Sequence, residues 1–247
     1  FLTRPIAHRA LHDVSLGRPE NSRAAVEAAV AQDFGIEIDV QLTSDRKALV
    51  FHDYDLGRLT RANGRVRDRT AADLATINLN GCNEGPPTLA DILDVVDAKV
   101  PLLIELKDQD GALGENVGPL EAAVADALEG YEGPVAVMSF NPHSVSALQT
   151  LLPHLPRGLT TDSFQSKDWP VPKVRLQELA AIPDYERVGA TFISHNHRDL
   201  KMPRVVELKK TGAAILCWTV RSPEEEAQAR EIADNITFEG YLPASPA

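Results

Sequence analysis

The sequence predicts an α/β protein, a (β/α)8 TIM barrel with one extra antiparallel hairpin strand near its C-terminal mouth. Three observations lead there. Apolar, β-rich runs alternate with helical patterns along the chain, which calls for a parallel sheet with helices outside it. The 247 residues match the length of one such barrel. Nine strand-like runs can be marked, at 6–9, 35–42, 48–52, 101–106, 135–139, 158–161, 190–194, 213–220 and 235–238, one more than a closed ring needs.

The surplus is resolved by the second and third runs. Only TSDRK lies between them, whereas a parallel crossover needs roughly a dozen residues or more. They must therefore form an antiparallel hairpin. The run 48–52 becomes the extra strand and returns His52 to the barrel mouth, and the other eight form the ring. Helices between the strands carry start signals. Asn21 or Ser22 caps a helix through about Gln32. Thr88 with Asp91 three positions on resembles a capping box. Asn141-Pro142 and Ser222-Pro223 each set a cap before a proline at the first helical position. Glu224–Glu226 then lie in a first turn, where negative charge is favoured. The polar stretch 54–87 reads as an irregular excursion before the third barrel strand, and QSKDWPVPKVRLQ as a second one. The chain 1–247 is expected to be a single domain.

Composition narrows the function classes. Apolar content of 43% and charged content of 25% are ordinary for a globular domain. A net charge of −11 argues against nucleic acid and against an anionic membrane surface. It does not forbid a small anionic substrate, because a metal ion or a few basic side chains can invert the field in a pocket. No apolar run approaches the roughly 18–20 residues of a membrane span, so stable membrane insertion is not expected. Cys82 and Cys217 form no CxxC pattern and suit a reducing, cytoplasmic setting. The chain begins at Phe1 rather than Met, which leaves room for residues upstream. Oligomeric state is not legible.

In a barrel, functional groups gather at the C-terminal ends of the strands. Side chains alternate along a strand, so in GIEIDVQL the residues Glu37, Asp39 and Gln41 share one face and Ile36, Ile38 and Val40 the other. The aliphatic face suits the helices, and the acids then point into the mouth. LLIELK repeats the pattern with Glu105 and Lys107. Like charges that close need compensation. An ion network with Arg9 or Lys107 would supply it. A single hard cation, Mg2+ or Ca2+, held by Glu37, Asp39 and Glu105 does so more economically. His8 and His52 each end a strand at the same mouth and can divide proton transfers as acid and base. Arg9 and Lys107 suit an anionic, oxygen-rich group such as phosphate. Together these groups read as phosphoester chemistry. His143 and His154, flanking a helix, read as surface or satisfied core.

The stretches IAHRA, PENS, IEIDVQLTSD, LVFHD, LLIELK, MSF and CWTV, spread from residue 6 to residue 220, resemble the glycerophosphodiester phosphodiesterase family. That resemblance implies a barrel hydrolase that splits glycerophosphodiesters into glycerol 3-phosphate and an alcohol, by way of a cyclic phosphate. It implies that His8 and His52 are the acid–base pair, that Glu37, Asp39 and Glu105 hold the metal, and that Arg9 and Lys107 bind phosphate. It further implies that Glu20 and Asn21 line the site and that Trp218 walls the substrate pocket. The chain departs from the family pattern at three places. Ala10 stands where the family has Gly. NITFEG replaces a final strand ending in Thr-Asp, which leaves Glu239 without an assigned role. The loop ALHDVSLGR is long, so His12 and Asp13 either touch substrate or stay solvated. Two other functions fit the same residues: a phospholipase-D-toxin-like lyase that stops at the cyclic phosphate, and a phosphodiester-binding protein without turnover.

Overall fold

A computed structural model describes residues 2–167 and 169–244. Position 168, inside QSKDWPVPKVRLQ, and both ends of the expected 1–247 span lie outside the described residues. Nine strands and eight α-helices run in the order β1 (Ile6–Ala7), α1 (Arg23–Ala31), β2 (Gly35–Leu42), β3 (Ala48–Val50), α2 (Ala71–Ala75), α3 (Leu89–Val96), β4 (Leu102–Leu106), α4 (Pro119–Ala127), β5 (Val135–Ser139), α5 (Pro142–Leu151), β6 (Arg157–Thr161), α6 (Lys173–Ala180), β7 (Phe192–Asn196), α7 (Pro203–Lys210), β8 (Ala214–Val220), α8 (Pro223–Ala229) and β9 (Asn235–Phe238). Eight strands close a parallel ring, β1–β2–β4–β5–β6–β7–β8–β9 and back to β1, while β3 lies outside it, antiparallel to β2.

The hairpin is possible because β1 is short. It pairs only with Gly35 and Ile36 of β2, which leaves the upper part of that edge free. The edge is then served in sequence by four different segments. Gly35 N donates to Pro5 O, Ala10 N donates to Glu37 O, Asp39 N donates to Asn21 Oδ1 (3.2 Å), and Phe51 N donates to Asp39 O. The chain around His8, the turn at Asn21 and the end of the hairpin are thus stitched to one edge of one strand.

Two apolar layers surround this strand. Ile36, Ile38, Val40, Ile104 and Leu106 face outward into the shell of helices. Ile6, Leu103, Ala136, Met138, Phe192 and Leu216 fill the barrel interior below the mouth. Gly158 is part of that filling: a Cβ there would run into the Phe192 ring. The excursion after β3 builds a small apolar cluster of its own, with Leu56, Leu59, Val66, Leu74 and Leu79 packed on Leu49 and Phe51 of the hairpin. Among the described residues no helix is long and apolar enough to cross a membrane.

Local differences from the sequence reading have local causes. β1 stops at Ala7 rather than Arg9 because Arg9 and Ala10 turn left-handed, at φ +53° and +64°. Ser22, not Asn21, caps α1, accepting from Ala25 N, because the Asn21 side chain is engaged by Asp39. The second half of QSKDWPVPKVRLQ is helical, as the start of α6. The capping box at Thr88–Asp91 and the caps at Asn141 and Ser222 form as expected.

His195 sits on the outer face of β7, fully buried, beside Thr161 Oγ1 (2.8 Å). Burial lowers its pKa from 6.5 to about 4, against the pull of Asp162 and Asp199. The unfolded chain therefore takes up this proton first. The stabilisation is complete above pH 6.5 and is lost as pH falls toward 4, a loss on the order of 3 kcal/mol. Denaturant unfolding between those pH values is expected to show a shallower pH slope in His195→Gln than in the parent, and equal slopes would count against it.

Candidate active site

Register places the acids. Asp39 of β2 lies beside Glu105 of β4, and Glu37 lies one inward-facing position below Asp39. One carboxylate oxygen from each of Glu37, Asp39 and Glu105 lies within 4.8 Å of the others. The three residues are only 2%, 1% and 6% exposed. Each is held by a neighbour. Arg9 N donates to Glu37 Oε2 (2.8 Å), and Asn21 Nδ2 donates to Asp39 Oδ2 (2.9 Å). Lys107 Nζ bridges Asp39 Oδ1 (2.7 Å) and Glu105 Oε1 (2.5 Å). Arg9 reaches Glu20 Oε1 at 2.7 Å and Asp39 Oδ2 at 3.6 Å.

Charge balance separates the three acids. Burial works against ionised Asp39, but Lys107, His52, Arg9 and His8 outweigh it and hold its pKa well below the ordinary value. Glu37 goes the other way. Burial first, then the charges of Asp39 and Glu105, raise its pKa well above the ordinary value. An all-oxygen donor set with one carboxylate short of positive charge fits a hard divalent cation, whose charge would keep all three acids ionised. The residues present therefore fit such an ion.

Two histidines flank the cluster, each fixed by a carboxylate. His8 Nδ1 meets Glu239 Oε2 at 2.6 Å, and Glu239 Oε1 accepts from Arg221 Nε at 2.7 Å. His52 Nδ1 meets Asp53 Oδ1 at 2.6 Å, and Asp53 is gripped by Arg58 at 2.6 and 2.9 Å. Arg58 in turn binds both oxygens of Glu20, each at 2.8 Å. An ionised carboxylate only accepts, so in both histidines Nδ1 carries the proton and Nε2 is the nitrogen left for proton transfer. Burial lowers the His8 pKa, with Arg9 acting in the same sense and the Glu239 hydrogen bond opposing it. His12 and His8, followed by Arg221, hold Glu239 well below the usual carboxylate range. His12 Nε2 stands 3.6 Å from Glu239 Oε2, so it acts there by proximity. Gln41 Nε2 donates to His52 O (2.9 Å) and Gln109 Nε2 to Gln41 Oε1 (3.0 Å), which pins the hairpin end.

The other half of the mouth is aromatic. Trp218 Nε1 donates to Ser194 O (2.9 Å). Its ring meets Phe140 edge-on at 5.6 Å, and Phe140 meets Trp169 at 4.9 Å. A cavity of about 520 Å3 lies on this side, lined by His52, Glu105, Lys107, Phe140 and Trp169 among others.

Arg9, Glu20, Asn21, Glu37, Asp39, His52, Glu105 and Lys107 thus belong to one connected network at the mouth, His8 stands beside it in a second set with Glu239 and Arg221, and Trp218 joins the aromatic wall through Phe140. Sequence reasoning missed Asp53, Arg58, Arg221, Phe140 and Trp169, and gave Glu239 no role. Asp53 was in view as the last residue of LVFHD. Arg58 and Arg221 carry no sequence signal, because they act from loops. Asp13 makes only a local turn, accepting from Ser15 N and Oγ.

An eight-stranded barrel with its charged groups gathered at the C-terminal ends of the strands is the layout of a barrel enzyme. Comparisons with known proteins agree. Residues 8–234 match the glycerophosphoryl diester phosphodiesterase family. The chain is 30% identical over 234 residues to the Bacillus subtilis protein YhdW, covering 90% of this chain and 88% of that one. It is 28% identical over 234 residues to the glycerophosphodiester phosphodiesterase of Caldanaerobacter subterraneus subsp. tengcongensis, with the same coverage of 90% and 88%. Its fold is similar to that of an Oleispira antarctica phosphodiesterase in complex with the product sn-glycerol-3-phosphate, with TM-score 0.78, 23% identity and coverage of 98% and 92%. The chain belongs to the glycerophosphoryl diester phosphodiesterase family, and with it to the phosphodiester hydrolases.

The left-handed turn at Arg9–Ala10 presents Arg9 N to Glu37 Oε2 and Ala10 N to Glu37 O. A side chain at φ +64° is strained, so Ala10→Gly is expected to raise stability by up to about 1 kcal/mol, less what the unfolded chain gains in freedom. A lower unfolding midpoint in the glycine variant would contradict this.

Proposed function

We propose that the chain hydrolyses glycerophosphodiesters to glycerol 3-phosphate and an alcohol, with Glu37, Asp39 and Glu105 holding one divalent cation, Mg2+ or Ca2+, and with His8 and His52 as the acid–base pair. One observation carries the reading: two histidines, each anchored at Nδ1 by a carboxylate, flank a buried three-carboxylate cluster. When bound, the cation supplies Lewis-acid polarisation of a phosphoryl oxygen.

The residues of the chain do the rest. His8, kept neutral by burial, takes the proton of the glycerol 2-hydroxyl at Nε2. The hydroxyl oxygen bonds to phosphorus as the bond to the alcohol oxygen breaks. His52 lines the open cavity where the alcohol fits; entering this step as the imidazolium, with Nδ1–H on Asp53, it delivers its Nε2 proton to that oxygen and is left neutral. Water then opens the cyclic phosphate with the two roles exchanged, giving the linear monoester. Arg9 and Lys107 offset charge on the phosphoryl oxygens. Glu20 orients Arg9 through their 2.7 Å pair, Asn21 orients Asp39, and Trp218 helps wall the substrate side. The whole chain works in this reading as one domain on a small molecule. Nucleic acid does not suit the −11 charge, and the free cysteines suit a cytoplasmic setting.

Phosphorus NMR with a panel of glycerophosphodiesters tests this. Glycerol 3-phosphate is expected to appear with Mg2+ or Ca2+ and to stop with chelator. A cyclic phosphate that persists would assign the protein to the lyases, and binding without any new signal would make it a non-catalytic binder. His8→Ala and His52→Ala are each expected to lose about 10^2- to 10^4-fold in kcat. The two roles separate on a diester with a nitrophenol leaving group. That group leaves unprotonated, so the His52→Ala defect should shrink there while the His8→Ala defect persists. Equal defects on both substrates would refute the division of roles.

A further inference from the structure

The cavity beside His52 has an unusual charge balance. Two basic side chains line it, Lys107 and Arg58. Each is already held by two carboxylates, Lys107 by Asp39 and Glu105 and Arg58 by Glu20 and Asp53. Asp55 and Asp108 line the same space, and among the described residues neither has a basic partner. The Asp55 side chain does not even cap the short turn it precedes. Asp108 accepts from two neutral donors, Asn141 Nδ2 at 2.7 Å and Leu113 N at 3.2 Å, and shares a side-chain hydrogen bond with the carboxyl of Asp110, so the pair carries negative charge with no cation on Asp108. Five other acids at this mouth, Glu20, Asp39, Asp53, Glu105 and Glu239, each have a basic partner.

The walls around these two acids are aromatic. Tyr54, Phe140 and Trp169 line the cavity. Trp169 is fixed at both ends, its ring on Phe140 and Phe164 and its Nε1 donating to Asp162 Oδ2 at 3.1 Å. Asp162 is itself held by Asn196 Nδ2 (3.1 Å) from the end of β7. Burial raises the Asp108 pKa despite its two donors, with the Asp110 charge adding to it. Burial, with the Asp108 charge next, pushes the Tyr54 hydroxyl up to about 12. Aromatic rings beside a carboxylate without a counter-charge are the surroundings that an organic ammonium prefers, because ring quadrupole and carboxylate both attract it. A purely aliphatic alcohol would leave Asp55 and Asp108 unused, and an anionic one would be repelled by them.

We propose that this cavity is the subsite for the leaving alcohol and that it selects a cationic amino alcohol, its ammonium placed among Asp108, Tyr54, Phe140 and Trp169. The inference rests on the hydrolase reading above, since that reading puts the alcohol beside His52. Asp55 adds negative potential at the rim. Asp162 is a positioning residue that sets Trp169.

The test compares two diesters of equal size in the metal-loaded protein: glycerophosphocholine and the 3,3-dimethylbutyl diester, in which carbon replaces the quaternary nitrogen. The cationic diester is expected to have at least about tenfold higher kcat/KM, by the strength of one desolvated cation–π contact plus one ion pair. Asp108→Asn should lower that ratio about fivefold or more, and Trp169→Leu should lower it in the same direction. The leucine variant keeps an apolar wall and serves if Asp108→Asn does not fold. Choline, but not 3,3-dimethylbutanol, should shift the intrinsic tryptophan fluorescence, a reading independent of turnover. If both diesters are hydrolysed with equal kcat/KM, or the ratio survives both substitutions, the cationic subsite is overturned while the hydrolase stands. If neither diester is hydrolysed, the hydrolase reading falls and this inference falls with it.

Discussion

Three carboxylates are buried side by side at the end of two adjacent strands, and the rest of the mouth is organised around that fact. Taking one such charge out of water costs several kcal/mol even after relaxation. Glu37, Asp39 and Glu105 can stay only where donors and cations are brought to them. The backbone of Arg9, the amide of Asn21 and the ammonium of Lys107 each do part of this. The left-handed turn after His8 is needed because it aims Arg9 N at Glu37. The brevity of β1 is needed because a longer strand would occupy the edge of β2 that Asn21 and the hairpin use. Local strain at Ala10 is thus offset by the satisfaction of a buried acid elsewhere.

From this centre the pairing spreads outward on one side as far as His52, and a second set of pairs holds His8. Asp39 meets Arg9, Arg9 meets Glu20, Glu20 meets Arg58, Arg58 meets Asp53, and Asp53 fixes His52. On the other side Arg221 fixes Glu239, and Glu239 fixes His8. Exposed ion pairs contribute little to stability. Their effect here is geometric: the paired groups hold Nδ1 of each histidine and leave Nε2 open in a set orientation. Such preorganisation is what an acid–base pair requires. The mouth is divided accordingly. Strands β1, β2, β4 and β9 bring the charged half, and β8 with the segments after β5 and β6 brings the aromatic half.

Much of this was legible in the sequence, for reasons that can be named. Strand periodicity separates Glu37 and Asp39 from Ile36 and Ile38 with no knowledge of the fold, and the brevity of TSDRK forces an antiparallel hairpin. Helix caps act over three or four residues, so Thr88, Asn141 and Ser222 could be assigned locally. Local rules also left one choice open. Asn21 and Ser22 are equally good caps by composition, and only the position of Asp39 across the strand decides that Asn21 is taken.

By itself the sequence determined the alternation of strands and helices, the extra hairpin, the inward face of β2 and the set of acids and histidines at the strand ends, because each depends on residues close together in the chain. The tertiary structure decided what those groups are paired with. Glu239 comes 231 residues after His8, Arg58 meets Glu20 across 38 residues, and Phe140 meets Trp218 from a different strand end. Closing the ring sets β1 beside β9 and so brings His8 to Glu239, and no periodicity or spacing along the chain encodes any of these contacts.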